Sequence, residues 1–303
     1  MSGFDAFMSG WGWVIFSLIS ALILVISYVT NQYMRLPGHL LVFWSRVLTV
    51  LALTPLMLHM AWPRDPLFYI AVLLTIPTGV FADIRTLNVS ASYGGGVVSR
   101  TMPLVILLSF FAWFFFDPAL LGKYAAQPVH SLLILLALTG CVYFSSRLNK
   151  CSISRAAAVE MLPALLGYTA STVFNKLAMS HGAVTSAVFC YMYLQSIVAV
   201  PVIGGYVFWR ESRTKVTPVF WRTRKMMLAT FLLTFSWIGN MTFKNYAMAF
   251  VPNPSFQSAL GQTTPVFIAL FYWFVKHKEK ADVASGMGVA ACATLLALMT
   301  AGK

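Results

Sequence analysis

Apolar runs of about twenty residues, recurring from one end of the chain to the other, restrict this sequence more than any other feature. They fall at 12–30, 38–60, 67–88, 94–116, 129–146, 156–180, 183–209, 226–250, 255–275 and 282–301. A helix rises about 1.5 Å per residue and a bilayer's hydrocarbon layer is about 30 Å thick, so each run is long enough to cross it. With 59% hydrophobic and 10% charged residues among 303, the chain carries too much apolar surface for one water-soluble core. A transmembrane barrel would show short alternating strands instead of runs such as Leu104 to Phe116. The sequence therefore predicts an all-α membrane protein of ten transmembrane helices, each satisfying its own backbone hydrogen bonds. Segment 1 follows Met1 to Gly10, which contains Asp5 and no basic residue, and reads as a first span and not as a cleaved signal peptide.

The net charge of +13 does not point to nucleic acid, because the basic residues sit in short connections beside the spans. Connections after odd-numbered segments hold thirteen of the 21 basic residues, six of them between Arg210 and Lys225. The even-numbered connections and the termini hold three, Arg64, Lys123 and Lys303. Loop charge thus places the odd connections in the cytoplasm and both termini outside.

Several features read as structural. Cys141, Cys151, Cys190 and Cys292 have no ligand spacing and read as small apolar residues. The five histidines lie near segment ends, as interfacial side chains. Gly94-Gly95-Gly96 has no Lys-Ser/Thr after it and no strand before it, so it is a tight turn or a close helix approach and not a phosphate loop. Pro252/Pro254, and Pro201 with Gly204-Gly205, are expected breaks or bends. No metal and no other cofactor is expected.

The two halves of the chain resemble each other. Val98 to Trp113 aligns with Leu260 to Val275 so that Pro103 meets Pro265, an offset of 162, and Gly79 meets Gly239 at an offset of 160. An offset spanning five segments gives the halves opposite topology, the signature of an inverted repeat, with domains at 1–150 and 151–303.

Pro37 and Phe43-Trp44-Ser45-Arg46 opening segment 2, the close segments 3 and 4 with Pro103, Val173-Phe174-Asn175-Lys176 in segment 6, and Ser258 to Val266 in segment 9, ending at Lys278-Glu279, carry a further likeness. Through them the chain resembles the drug/metabolite transporter superfamily, most closely its ten-span EamA-type exporters, with nucleotide-sugar transporters as cousins. Phe116-Asp117-Pro118 stands where the family often has a Gly-Glu pair. The resemblance implies a cavity lined by segments 1, 3, 4, 6, 8 and 9, and termini in the cytoplasm, opposite to the loop charges. It also implies export of amino acids or related metabolites and residence in a bacterial inner membrane.

Ionisable groups inside a bilayer cost at least about 2.5 to 3.5 kcal/mol at mid-helix, which makes each one a candidate site. Arg46, Asp83, Arg85, Arg100, Lys176 and Lys244 qualify, with Glu160 near the start of segment 6. Lys176 and Arg85 lie near helix ends, where snorkelling to the interface accounts for them. Asp83 reads either as an ion pair with Arg85 or Arg100, locking segments 3 and 4, or as a proton-coupling carboxylate; Arg46 joins this charged set. Trp237, Asn240 and Lys244 fall at i, i+3 and i+7 on one face of segment 8, either a substrate-facing stripe or helix packing with Lys244 capping a neighbour's carbonyls. Asn88, Tyr168, Asn175, Gln257, Gln262 and Thr263 fit the same cavity, or glue helices together.

A basic-rich interior favours an anionic or zwitterionic solute over an organic cation, which needs an aromatic cage with carboxylates. The leading expectation is a secondary carrier, not an enzyme, whose partners are a small-molecule substrate, a proton or counter-substrate, and the lipid bilayer. Exchange of phosphorylated solutes or nucleotide sugars is the alternative, and a lipid-modifying membrane enzyme or a scaffold subunit are readings from other classes.

Overall fold

In the computed structural model, residues 3–34, 36, 38–93, 95–148, 154–214, 224–274 and 282–301 are described. All regular structure among them is helical: α1 Gly3–Phe7, a π-helical turn Met8–Gly12, α2 Trp13–Met34, α3 Gly38–Met57, α4 Pro66–Tyr93, α5 Gly95–Thr101, α6 Leu104–Trp113 and α7 Pro118–Ala126. The second half contributes α8 Pro128–Arg147, α9 Arg155–Ser180, α10 Val184–Thr214, α11 Arg224–Phe250, α12 Pro254–Gly261, α13 Thr264–Phe274 and α14 Val283–Thr300. Seven helices are long and apolar enough to cross a bilayer, or eight if Leu104–Trp113 and Pro118–Ala126 form one bent span. This is an all-helical, multi-pass membrane protein. Arg35, Pro37, Gly94, Lys150, Cys151, Lys215, Arg222, Lys276 to Lys280 and Lys303 lie outside the described residues.

Three sequence expectations change. Segments 4 and 9 are broken helices, not continuous ones. Pro103 brings no N–H, so the chain tightens there into three-residue hydrogen bonds, Val105 N–H to Met102 and Ile106 N–H to Pro103. The break before Pro265 is built the same way, with Gln262 N–H on Ala259, Thr263 N–H on Leu260 and Val266 N–H on Thr263. Secondly, α7 occupies a stretch read as loop. Asp117 accepts from Leu120 N–H at 3.1 Å with Pro118 in the first turn, a start signal strong enough for a nine-residue helix that leaves α6 at 101°. Thirdly, α10 continues through Pro201 and Gly204-Gly205. The expected break at Pro252/Pro254 is present between α11 and α12, where the Asn253 side chain accepts from Ser255 N–H.

Packing divides the helices into two bundles with two flanking pairs. The most extensive pairings are α4 with α9 and α2 with α11; α6 also packs on α9, and α12 and α13 on α2. One bundle is therefore α4, α5, α6 and α9, and the other is α2, α11, α12 and α13. The pairs α3 with α10 and α8 with α14 flank them. Small residues allow the close approaches. A Cβ on Gly167 of α9 would lie 2.9 Å from the Thr78 carbonyl oxygen and 3.0 Å from Ala82 Cβ on α4, and one on Gly288 of α14 would enter the Phe144 ring of α8. Cys141 and Cys190 are fully buried among apolar side chains.

Candidate substrate site

Helix-helix packing brings four of the singled-out residues into two pairs. On one wall the Arg46 guanidinium, from α3, lies 3.9 Å from the Trp237 ring centroid, from α11. Trp237 stands at the middle of α11, and the stack matches a planar cation to an aromatic face, an interaction of about 2 kcal/mol where water is excluded. On the other wall the Tyr168 hydroxyl, at the middle of α9, donates to Asp83 Oδ1 on α4. Arg46 and Asp83 lie within electrostatic range of each other, and among the described residues no ion pair within 4 Å joins them. Arg46 also keeps a buried guanidinium nitrogen without a hydrogen-bond partner among the described residues. Asp83 is accessible although protein surrounds it on nearly all sides, the combination expected of a group lining an internal cavity. The two dyads, opposite in charge, thus lie within electrostatic range of each other without forming an ion pair. Tyr191, buried on α10 within range of Arg46, completes the setting. No pattern in the sequence singles out that tyrosine, one aromatic in an apolar run.

The segment 8 stripe separates into three roles. Trp237 meets Arg46. Asn240 is buried and donates from Nδ2 to the Ser20 carbonyl and hydroxyl oxygens at 2.9 Å, fastening α11 to α2. Lys244, half-buried and enclosed by protein, has no hydrogen-bond or ion-pair partner among the described residues, and sits about 10 Å along the axis from Trp237 on the same face. The carbonyl-capping role falls to Lys176: its Nζ donates to the Met248 and Ala249 carbonyl oxygens at 3.0 and 3.2 Å. That corrects the snorkelling reading, because Lys176 is buried and satisfies the exposed carbonyls ending α11.

Other candidates lie elsewhere. Arg85 sits over its own helix's Phe81 ring at 5.9 Å, so the expected partnership with Asp83 is replaced by that with Tyr168. Arg100 donates from Nε to the Ser146 carbonyl at 2.8 Å, at the C-terminal end of α8. Glu160 accepts from the Tyr93 hydroxyl at 2.9 Å. Asn175 donates to Asn245 Oδ1 at 3.1 Å between α9 and α11. Gln262 caps α12 through its backbone N–H at the helix break, followed by Thr263, and Gln257 is buried in α12. The Asn88 side chain lies outside the described residues. Among the described residues no group of three or more His, Cys, Asp or Glu side chains assembles that could hold a metal ion.

At one end of the bundles, Asp65 and His181 join the connection before α4 to the C-terminus of α9 at 2.7 Å. They border an open cavity of about 460 Å³ with Trp62, Arg64 and Ser186, apart from the two dyads. The Leu67 N–H and then the His181 bond hold the Asp65 carboxyl below its ordinary value. A lowered folded-state pKa gives stability that is present above the unfolded value and lost as pH falls through the folded one. Asp65→Ala is expected to lower the melting temperature at pH 7, with the gap to the parent closing below about pH 4. A gap that stays constant down to about pH 3 refutes the assignment.

The chain matches no protein-family model and no curated protein.

Proposed function

We propose that the chain is a secondary carrier that moves a small polar metabolite, an amino acid or a related anionic or zwitterionic solute, across a membrane by alternating access. The observation that carries this reading is the pair of dyads: a guanidinium with no ion-pair partner within 4 Å among the described residues and, within its electrostatic range, an accessible carboxylate, both on membrane-spanning helices where ionisable groups mark candidate sites. A zwitterion satisfies both walls at once, its carboxylate at Arg46 and its ammonium at Asp83.

Ten spans in two inverted five-helix repeats, 1–150 and 151–303, belong to the same proposal. Two features support them. The broken helices α5/α6 and α12/α13 have the same tightened turn beside Pro103 and Pro265. The helix pairings also exchange under a pseudo-twofold: α4 with α9 maps onto α11 with α2, α5 and α6 with α9 onto α12 and α13 with α2, while α3 with α10 and α8 with α14 map onto themselves. In this arrangement each half lends its first helix to the other half's bundle, so the bodies that rock are the exchanged bundles and not the sequence halves. We place the chain with the EamA-type members of the drug/metabolite transporter superfamily, acting as an exporter in a bacterial inner membrane. Lys244, without a partner among the described residues and on the Trp237 face, favours a second reading, exchange of phosphorylated solutes.

Purified protein in proteoliposomes, offered labelled amino acids and labelled phosphorylated metabolites, is expected to give saturable flux of one class. Absence of saturable flux for every solute in both classes overturns the carrier reading.

A further inference from the structure

Among the described residues, the hydrogen bonds that cross between the two bundles lie toward one end. Lys176 Nζ, on α9, reaches the last carbonyls of α11 at 3.0 and 3.2 Å, and next to it Asn175 Nδ2 donates to Asn245 Oδ1 at 3.1 Å. Asn253, just before α12, donates to the Phe110 carbonyl of α6 at 3.2 Å, and the Phe110 and Phe256 rings stack at 6.5 Å. Every one of these groups sits near the C-terminal end of α6, α9 or α11, or in the short connection into α12 and its first turn. At the opposite end the far halves of the broken helices hold to their own side: α5 packs on α4, α8 and α9, and α13 on α2 and α14.

We infer that this is a one-side-closed state of the molecule, shut at the face of the 251–253 connection, and that Lys176 is the gate residue that latches the two bundles there. The cost of burying an ammonium explains why such a latch can release. Lys176 is held by two neutral carbonyls, with Asp117 within electrostatic range but in no ion pair with it among the described residues, and the adjoining Asn175 Oδ1 and Asn245 Nδ2 are buried without partners among the described residues, so the seam is incompletely satisfied.

The test reads conformation and not flux, so its failure leaves the carrier reading standing. Gln257, 3% exposed on α12 where it packs on α6, is replaced by Cys, and native Cys190, 0% exposed, is the internal reference. Maleimide labelling in detergent is followed at both sites by mass spectrometry. Lys176→Met is expected to speed labelling at position 257 by about tenfold or more while Cys190 stays slow, and Lys176→Arg to fall between. Asn245→Ala is expected to act in the same direction, and Ser255→Cys, also fully buried, serves if the cysteine at 257 prevents folding. An unchanged rate at the seam overturns the latch. So does a rise matched at Cys190, which marks general loosening.

Discussion

Gly167→Leu is expected to leave little or no folded protein, seen as loss of the monodisperse peak in size-exclusion chromatography and of a cooperative melting transition. The most extensive pairing in the molecule, α4 with α9, closes on this glycine. Its missing side chain leaves room for the Thr78 carbonyl oxygen, 2.9 Å from where a Cβ would stand, and for Ala82. A rotamer change relieves a clash with a side chain tip, but here the obstacle is backbone, so the helices must separate. Overpacking a well-fitted site costs about 1 to 3 kcal/mol, and separation along a whole helix seam costs more. The seam also carries the Tyr168 bond to Asp83, so any shift of α9 moves the site. Gly239→Leu is the comparison, because its neighbour is the flexible Ile23 side chain at 3.4 Å, and a milder effect is expected there. Equal losses at both positions argue against the backbone contact as the cause.

How far the sequence foretold this molecule depends on which physical signal each part rests on. Length and apolarity are local, so each of the seven helices long and apolar enough to cross a bilayer overlaps an expected segment, and α4, α9 and α11 begin within a residue or two of the expected positions. The broken helices were half visible. Pro103 and Pro265 marked their alignment, but a bilayer-length apolar run overshadowed what a missing N–H does to the turn around it. The helix α7 was missed because Asp117-Pro118 was weighed as a family departure and not as a helix start. Site residues followed another rule. Intramembrane charge selected Arg46 and Asp83, and position on one helix face selected Trp237, yet neither signal could say which helices meet. Residues 83 and 85 point about 200° apart on one helix, which favours a partner for Asp83 on another helix, but the sequence offers Arg85 or Arg100 and not the Tyr168 hydroxyl. Lys176, expected to snorkel, caps carbonyls for the same reason: whether a lysine ends among carbonyls or at an interface is decided by the neighbouring helix.

Asp83→Asn and Arg46→Met are each expected to reduce saturable flux of the carried solute by about a hundredfold or more, with melting temperature close to that of the parent. Each charge is held by a neutral partner, Tyr168 or Trp237, and the opposite charge stands too far away for direct contact. In a low-dielectric interior a bound zwitterion supplies what each wall lacks, and removing one wall leaves a charged end of the solute buried without a partner. Truncating one member of such a desolvated pair costs about 2 to 5 kcal/mol, and each 1.4 kcal/mol is tenfold. Tyr168→Phe removes a single hydrogen bond to the carboxylate and is expected to cost less, about tenfold. Arg46→Lys keeps the charge but not the planar face on Trp237, so it should fall between Met and the parent. The pattern separates a binding role from a structural one. If the dyads only hold helices together, Asp83→Asn lowers the melting temperature and leaves the flux per folded molecule within about twofold. If they hold the solute, flux falls while folding does not, and the double variant is no worse than the poorer single one, because one bridging ligand needs both ends.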